Sequence, residues 1–145
     1  MKPMTLDEIR QHDLKVICHH EAGHLVALTQ LGGLGSITIG EADNCGDDLR
    51  LYAGRCQIFM PPTVDRGAVL VGLAGVIAEE LFYDQDVDAH EVIEHIDESM
   101  SDSDARAASG YTLEDVQRTL GLLRDNWEDV QLHADNQQAK QEVLP

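Results

Sequence analysis

The stretch Val16-Ile17-Cys18-His19-His20-Glu21-Ala22-Gly23-His24-Leu25-Val26-Ala27-Leu28 decides how the rest of this chain is read. Its apolar residues predict a helix that is substantially buried. Inside it, His20-Glu21-Ala22-Gly23-His24 has the spacing H-E-x-x-H. On a helix, residues four apart lie about 40° apart around the axis and one turn along it. His20 and His24 therefore present both imidazoles to one point, as two ligands of a tetrahedral zinc site would. Glu21 flanks the same face. It is badly placed as a third ligand but can reach a metal-activated water, take its proton and pass it to a leaving amine. With seven His and eleven Glu in 145 residues, chance supplies this pattern about 0.02 times per such chain. The alternative is two surface histidines and a solvated acid, but a buried glutamate between two histidines needs a reason. His19 points about 100° away and reads as a neighbour, not a ligand.

Two histidines leave the site incomplete. A further histidine after a glycine, the extension found in metzincins, is absent, because those places hold Ala27 and Gln30. Glu80 and Asp84 fit an E-x-x-x-D pattern that could bring a carboxylate. Acids are so numerous that spacing alone leaves the third ligand open.

Outward from the motif, Thr5-Leu6-Asp7-Glu8 has the spacing of a helix capping box. It predicts a helical region from there to about Gln30, with a break near Asp13 as an alternative. Gly32, Gly33 and Gly35 stop it. Ser36–Ile39 and Arg50–Phe59 read as two strands of a small antiparallel sheet around a polar turn, Glu41–Asp48. Thr63 is placed to cap a helix from about Val64 to Tyr83, apolar nearly all round and hence buried. Asp84 to Asp104 is acidic with weak helical character. Ser103–Ala108 predicts a short helix, and Leu113–Ala134 a last one. The expected fold is mainly α with a small antiparallel sheet, an α+β class, in one domain over 1–145. A polar tail from about Asn136 is expected to fray.

Composition narrows the partners. The chain carries 27 Asp+Glu against 10 Lys+Arg, a formal net charge of −17. That surface repels nucleic acid and anionic membranes. The longest apolar run, Gly67 to Ala78, is too short to span a bilayer. The N-terminus lacks the apolar stretch of a secretory signal. Cys18, Cys45 and Cys56 are three thiols without C-x-x-C spacing, which predicts reduced cysteines and a cytoplasmic protein. His90 and His95 stand five apart, wrong for one helical face, and read as non-ligands. The strand at Arg50–Phe59 offers an edge to which an extended peptide could add.

The motif resembles that of the FtsH-type ATP-dependent zinc peptidases, down to its two inner residues. Two further segments are similar to that family in the same order. Leu73-Ala74-Gly75-Val76-Ile77-Ala78-Glu79-Glu80-Leu81 resembles its L-G-G-R-A-A-E-E-L helix, with Val76 in place of the arginine. Ser103-Asp104-Ala105-Arg106-Ala107-Ala108-Ser109 resembles its N-D-L-x-x-A-T segment. The likeness spans roughly residues 15 to 135 and is weakest over Asp84 to Ser101.

The resemblance implies a zinc peptidase domain in which His20 and His24 are ligands and Glu21 is the general base. It places the family's aspartate ligand on Asp104, with Asp102 two residues away as an alternative. Glu79 or Glu80 would orient a ligating histidine from behind. No G-x-x-x-x-G-K-[ST] occurs in the sequence, so ATP binding through a P-loop is not expected. The implied activity is cleavage of peptides or unfolded protein, with a homo-oligomer or a separate ATPase chain as candidate partners. The rival expectation is a catalytically silent metal- or peptide-binding regulatory module of the same fold.

Overall fold

The computed structural model describes residues 2–42 and 51–143. The polar turn around Asn44 and Gly46, with Cys45, lies outside the described residues. The first helix, α1 (Leu6–Gln30), begins where Thr5 Oγ1 accepts the Glu8 amide at 3.1 Å and donates to Glu8 Oε1 at 3.2 Å. Asp7 and Glu8 in its first turn suit the positive end of the helix dipole. The helix runs unbroken through Asp13. It ends at Leu31 and Gly32, whose φ of 91° is open to glycine at little steric cost.

Strands β1 (Leu34–Glu41) and β2 (Tyr52–Met60) pair antiparallel, with Ile37 opposite Cys56 and Ile39 opposite Gly54. β1 extends beyond the predicted Ser36–Ile39 at both ends, β2 runs one residue past the predicted Phe59, and a register irregularity falls between Leu34 and Gly35. Along β2, Tyr52, Gly54 and Cys56 face inward while Ala53, Arg55 and Gln57 face solvent, the two-residue period of a half-buried strand.

Helix α2 (Gly67–Tyr83) is the centre of the core. Every residue from Leu70 to Ala78 is buried, as its all-round apolar character requires. It crosses α1 closely at Gly23, where a Cβ would stand 2.5 Å from the Ala78 Cβ and 2.7 Å from the Ala74 carbonyl oxygen. Its start corrects the sequence reading: Thr63 caps nothing. The Thr63 amide and hydroxyl both donate to the Leu31 carbonyl, at 2.9 and 3.4 Å, so they satisfy the end of α1 instead. The helix begins three residues later, after Arg66, which holds a left-handed φ of 60°.

The acidic stretch folds into α3 (Ala89–Ile93) and α4 (Ile96–Ser99), pinned by buried Val87, Ala89, Val92 and Ile96. Then comes α5 (Asp102–Ala107), capped by Ser101. The predicted last helix is two helices, α6 (Leu113–Asp125) and α7 (Trp127–Val143). Asn126 divides them: its side-chain amide donates back to Leu122 O at 2.8 Å, while its own carbonyl accepts from Asp129 and Val130. The bend lets α6 pack on α2 and α7 on α1. The expected fraying from Asn136 is not found, because Ala134 and Gln137 are buried and Gln141 Nε2 donates to Ile39 O on β1 at 2.7 Å. The whole is mainly helical with a small two-stranded antiparallel sheet. No described helix is long and apolar enough to cross a membrane.

Candidate metal centre

Helix α1 delivers His20 and His24 on one face, their ring centroids 4.8 Å apart and their planes at 78°. Their Nε2 atoms are 3.2 Å apart. Helix α5 brings Asp104 Oδ2 to 3.2 Å from His20 Nε2 and 3.1 Å from His24 Nε2. Three ligand-type atoms thus form a nearly equilateral triangle. Zinc bonds of about 2.0–2.1 Å in a tetrahedron require ligand separations of about 3.3 Å, close to the sides observed.

The hydrogen bonds behind the rings identify which atoms face inward. His24 Nδ1 lies 2.7 Å from the Val71 carbonyl oxygen, which can only accept, so Nδ1 carries the hydrogen. His20 Nδ1 lies 2.9 Å from Glu79 Oε1 and donates to it likewise. Both Nε2 lone pairs are then turned toward a carboxylate oxygen that is itself an acceptor. Three acceptors converging within 3.2 Å call for a cation between them. In the metal-free chain a proton serves. Burial lowers the His20 pKa, but the hydrogen bonds to Asp104 and Glu79 outweigh it and raise it to about 10. Burial works upward on Asp104, yet its bonds to the two imidazoles hold its carboxyl well below the usual range.

Glu21 completes the group. With His20 and His24 it brings ligand-type atoms within 4.8 Å of one another, but its Oε1 stands 3.9 Å from His20 Nε2, farther than Asp104. The triangle is therefore His20, His24 and Asp104, with Glu21 beside it. Glu21 is 4% exposed, and its Oε2 has no hydrogen-bond partner. Burial pushes its pKa up, partly offset by the two histidines. This unpartnered buried oxygen lies beside the three convergent ligand-type atoms.

Behind the triangle the expectations divide. Glu79 Oε1 lies behind His20 and accepts from its Nδ1. Glu80 does not join: it turns to the surface and pairs with His95 Nε2. It is thus neither the third corner nor a support for a ligand. Asp102 is exposed on the outer side of α5. His19, as expected, points away, donating to Lys15 O and packing its ring on Phe82 at 4.6 Å.

The triangle lies in a cleft of about 970 Å³. One wall is β2, whose Tyr52, Gly54, Cys56 and Ile58 line it. Gly54 lies against the general-base candidate: a Cβ there would stand 2.4 Å from Glu21 Cγ and 2.9 Å from Cδ. Sequence reasoning missed this contact, although a glycine inside a strand signals close approach of other atoms. It also missed the Val71 carbonyl, which no side-chain pattern could reveal. Cys56 shares the cleft, and burial pushes its thiol up to about 12, so it is protonated and poorly nucleophilic.

No protein-family model matches this chain, and no curated protein matches it. Function must therefore be argued from the side chains themselves.

Proposed function

We propose that this chain is a zinc-dependent peptidase of the FtsH-type kind, hydrolysing peptides or already unfolded segments. One observation carries the reading: three acceptor atoms of His20, His24 and Asp104 converge beside the unpartnered carboxylate oxygen of Glu21. A purely structural cluster would match donors with acceptors. When bound, zinc would supply Lewis acidity, polarising a carbonyl and making water acidic near neutral pH.

The chain's own residues would do the rest. Glu21 Oε2 takes the proton of the attacking water and returns it to the leaving amine nitrogen. Glu79 holds His20 with its Nε2 lone pair forward, and the Val71 carbonyl does the same for His24. The substrate is best accommodated as an extended strand. The outer margin of β1 is covered by the Gln141 side chain, whereas β2 borders the cleft. A peptide laid along β2 would pair by main-chain hydrogen bonds beside Glu21. The acids of the cleft, Asp13 and Glu79 among them, would favour cationic segments.

The test is zinc content by elemental analysis, with casein hydrolysis alongside, in wild type and Glu21→Gln. Zinc in both with activity only in wild type supports the peptidase. Zinc in both with no activity in either supports the silent binding module. Wild type free of zinc after zinc loading sinks the metal reading.

A further inference from the structure

Three of the four buried helical glycines, those inside helices and not at a helix start, make room for different things. Gly23 makes room for Ala74 and Ala78, and Gly72 for Ala107 and Ala108, so both serve helix packing. Gly75 differs. A Cβ there would stand 2.4 Å from His24 Nε2, 2.5 Å from His20 Nε2 and 2.6 Å from His20 Cε1. Its three nearest contacts all belong to the two imidazoles, and two of them are the ligand-type nitrogens themselves.

We infer that Gly75 is a positioning residue of the metal centre, present because any side chain at this point of α2 would displace both ligand nitrogens. The inference rests on the metal reading proposed above. An ordinary carbon–nitrogen contact needs about 3.4 Å or more. A Cβ at 75 would thus drive the two Nε2 atoms back by about 1 Å each. They are held from behind by Glu79 and the Val71 carbonyl, so they cannot retreat without losing those bonds. Two nitrogens so displaced cannot both reach one ion at about 2.0–2.1 Å while Asp104 keeps its place. The glycine therefore acts on geometry and touches no substrate. It sets how closely α2 lies against the histidine face of α1, much as Gly54 sets how closely β2 lies against Glu21.

The experiment measures zinc binding by chelator competition on the metal-free full chain, with circular dichroism to report folding. Wild type, Gly75→Ala and Gly121→Ala are compared. Gly121 has nothing within 4 Å of its Cβ position, so its variant should bind zinc as wild type does. Gly75→Ala should remain helical and bind zinc about 100-fold more weakly or worse. A folded Gly75→Ala with zinc affinity within threefold of wild type overturns the inference. Where Gly75→Ala fails to fold, the comparison moves to His20→Ala/His24→Ala with and without Gly75→Ala. With the imidazoles gone, the added methyl has room, and equal melting temperatures support the inference. A triple variant that is unfolded while the double is folded overturns it, because the glycine would then be needed for packing. Wild type that binds no zinc defeats the metal reading and with it the role of Gly75 at a metal, whereas a zinc-binding wild type with an unaffected Gly75→Ala defeats the inference alone.

Discussion

A buried carboxylate and a half-buried one receive opposite treatment in this molecule. Asp115, 2% exposed, sits among donors only. Arg66 Nε reaches Oδ1 at 2.9 Å, Arg66 Nη2 reaches Oδ2 at 2.5 Å, and the Thr112 amide and hydroxyl reach Oδ2 at 2.9 and 3.1 Å. These contacts hold its pKa down to about 2, the Arg66 hydrogen bond contributing most. The cluster is closed: it staples the start of α2 to the capping box of α6 and asks for nothing more. Asp104 Oδ2 instead faces the Nε2 atoms of two imidazoles whose other nitrogens already donate elsewhere, with an orphaned Glu21 oxygen nearby. A carboxylate satisfied on every side serves architecture, whereas the Asp104 cluster is the one on which the proposed metal chemistry rests.

Five measurements would break or sharpen that contrast. The largest effect is expected from Asp104→Ala, which removes one corner of the triangle. Zinc affinity should fall about 100-fold or more, and peptide hydrolysis with it, as chelator competition and casein cleavage would show. Gly54→Ala should come next. Its methyl overlaps Glu21, so turnover should fall about tenfold or more while zinc content stays at wild-type level. Unchanged turnover would mean that β2 can retreat from Glu21 freely.

Asp115→Ala should do the reverse of Asp104→Ala. Losing the Asp115 half of the capping box costs about 1 kcal/mol, the lost pairing with Arg66 adds to it, and the melting temperature drops by several degrees with zinc affinity unchanged. The pH dependence has a definite sign. Asp115 has its pKa lowered from 3.8 to about 2, so its contribution is present above about pH 4 and is lost as pH falls through about 2. His20 in the metal-free chain has its pKa raised from 6.5 to about 10. Its contribution is present below about pH 6.5 and is lost as pH rises through about 10. Melting curves of metal-free Asp115→Asn and His20→Ala across pH should each flatten one flank, acid for the first and alkaline for the second. The smallest effect belongs to Gly121→Ala, on the open face of α6. It should stabilise by about 0.5–1 kcal/mol through helix propensity alone and leave zinc and activity untouched.

Much of this arrangement was legible because helical spacing is local. The i, i+4 placement of His20 and His24 needs only the geometry of α1. The burial of α2 follows from its apolar composition. The mainly helical class with one small antiparallel sheet followed from the same patterns. Asp104 was a different matter: 80 residues downstream, in a chain crowded with acids, it was singled out only by likeness to a family motif. The choice between Glu79 and Glu80 depends on the rotation of α2, which adjacent residues cannot express. The bend at Asn126 and the late start of α2 escaped because each is decided by a polar side chain choosing a partner. Asn126 bonds back to Leu122, and Thr63 bonds across to Leu31. Propensity carries no information about such distant or competing bonds.

The Gln141 contact to Ile39 has a consequence for the life of the hairpin. A sheet of two strands has two open margins, and an open margin invites a stranger's backbone. Here the final helix holds one margin shut and the cleft occupies the other. A chain cut before Gln141 would lose that clasp. Its hairpin would then offer that margin to another backbone, so the final helix also guards the sheet beside the cleft.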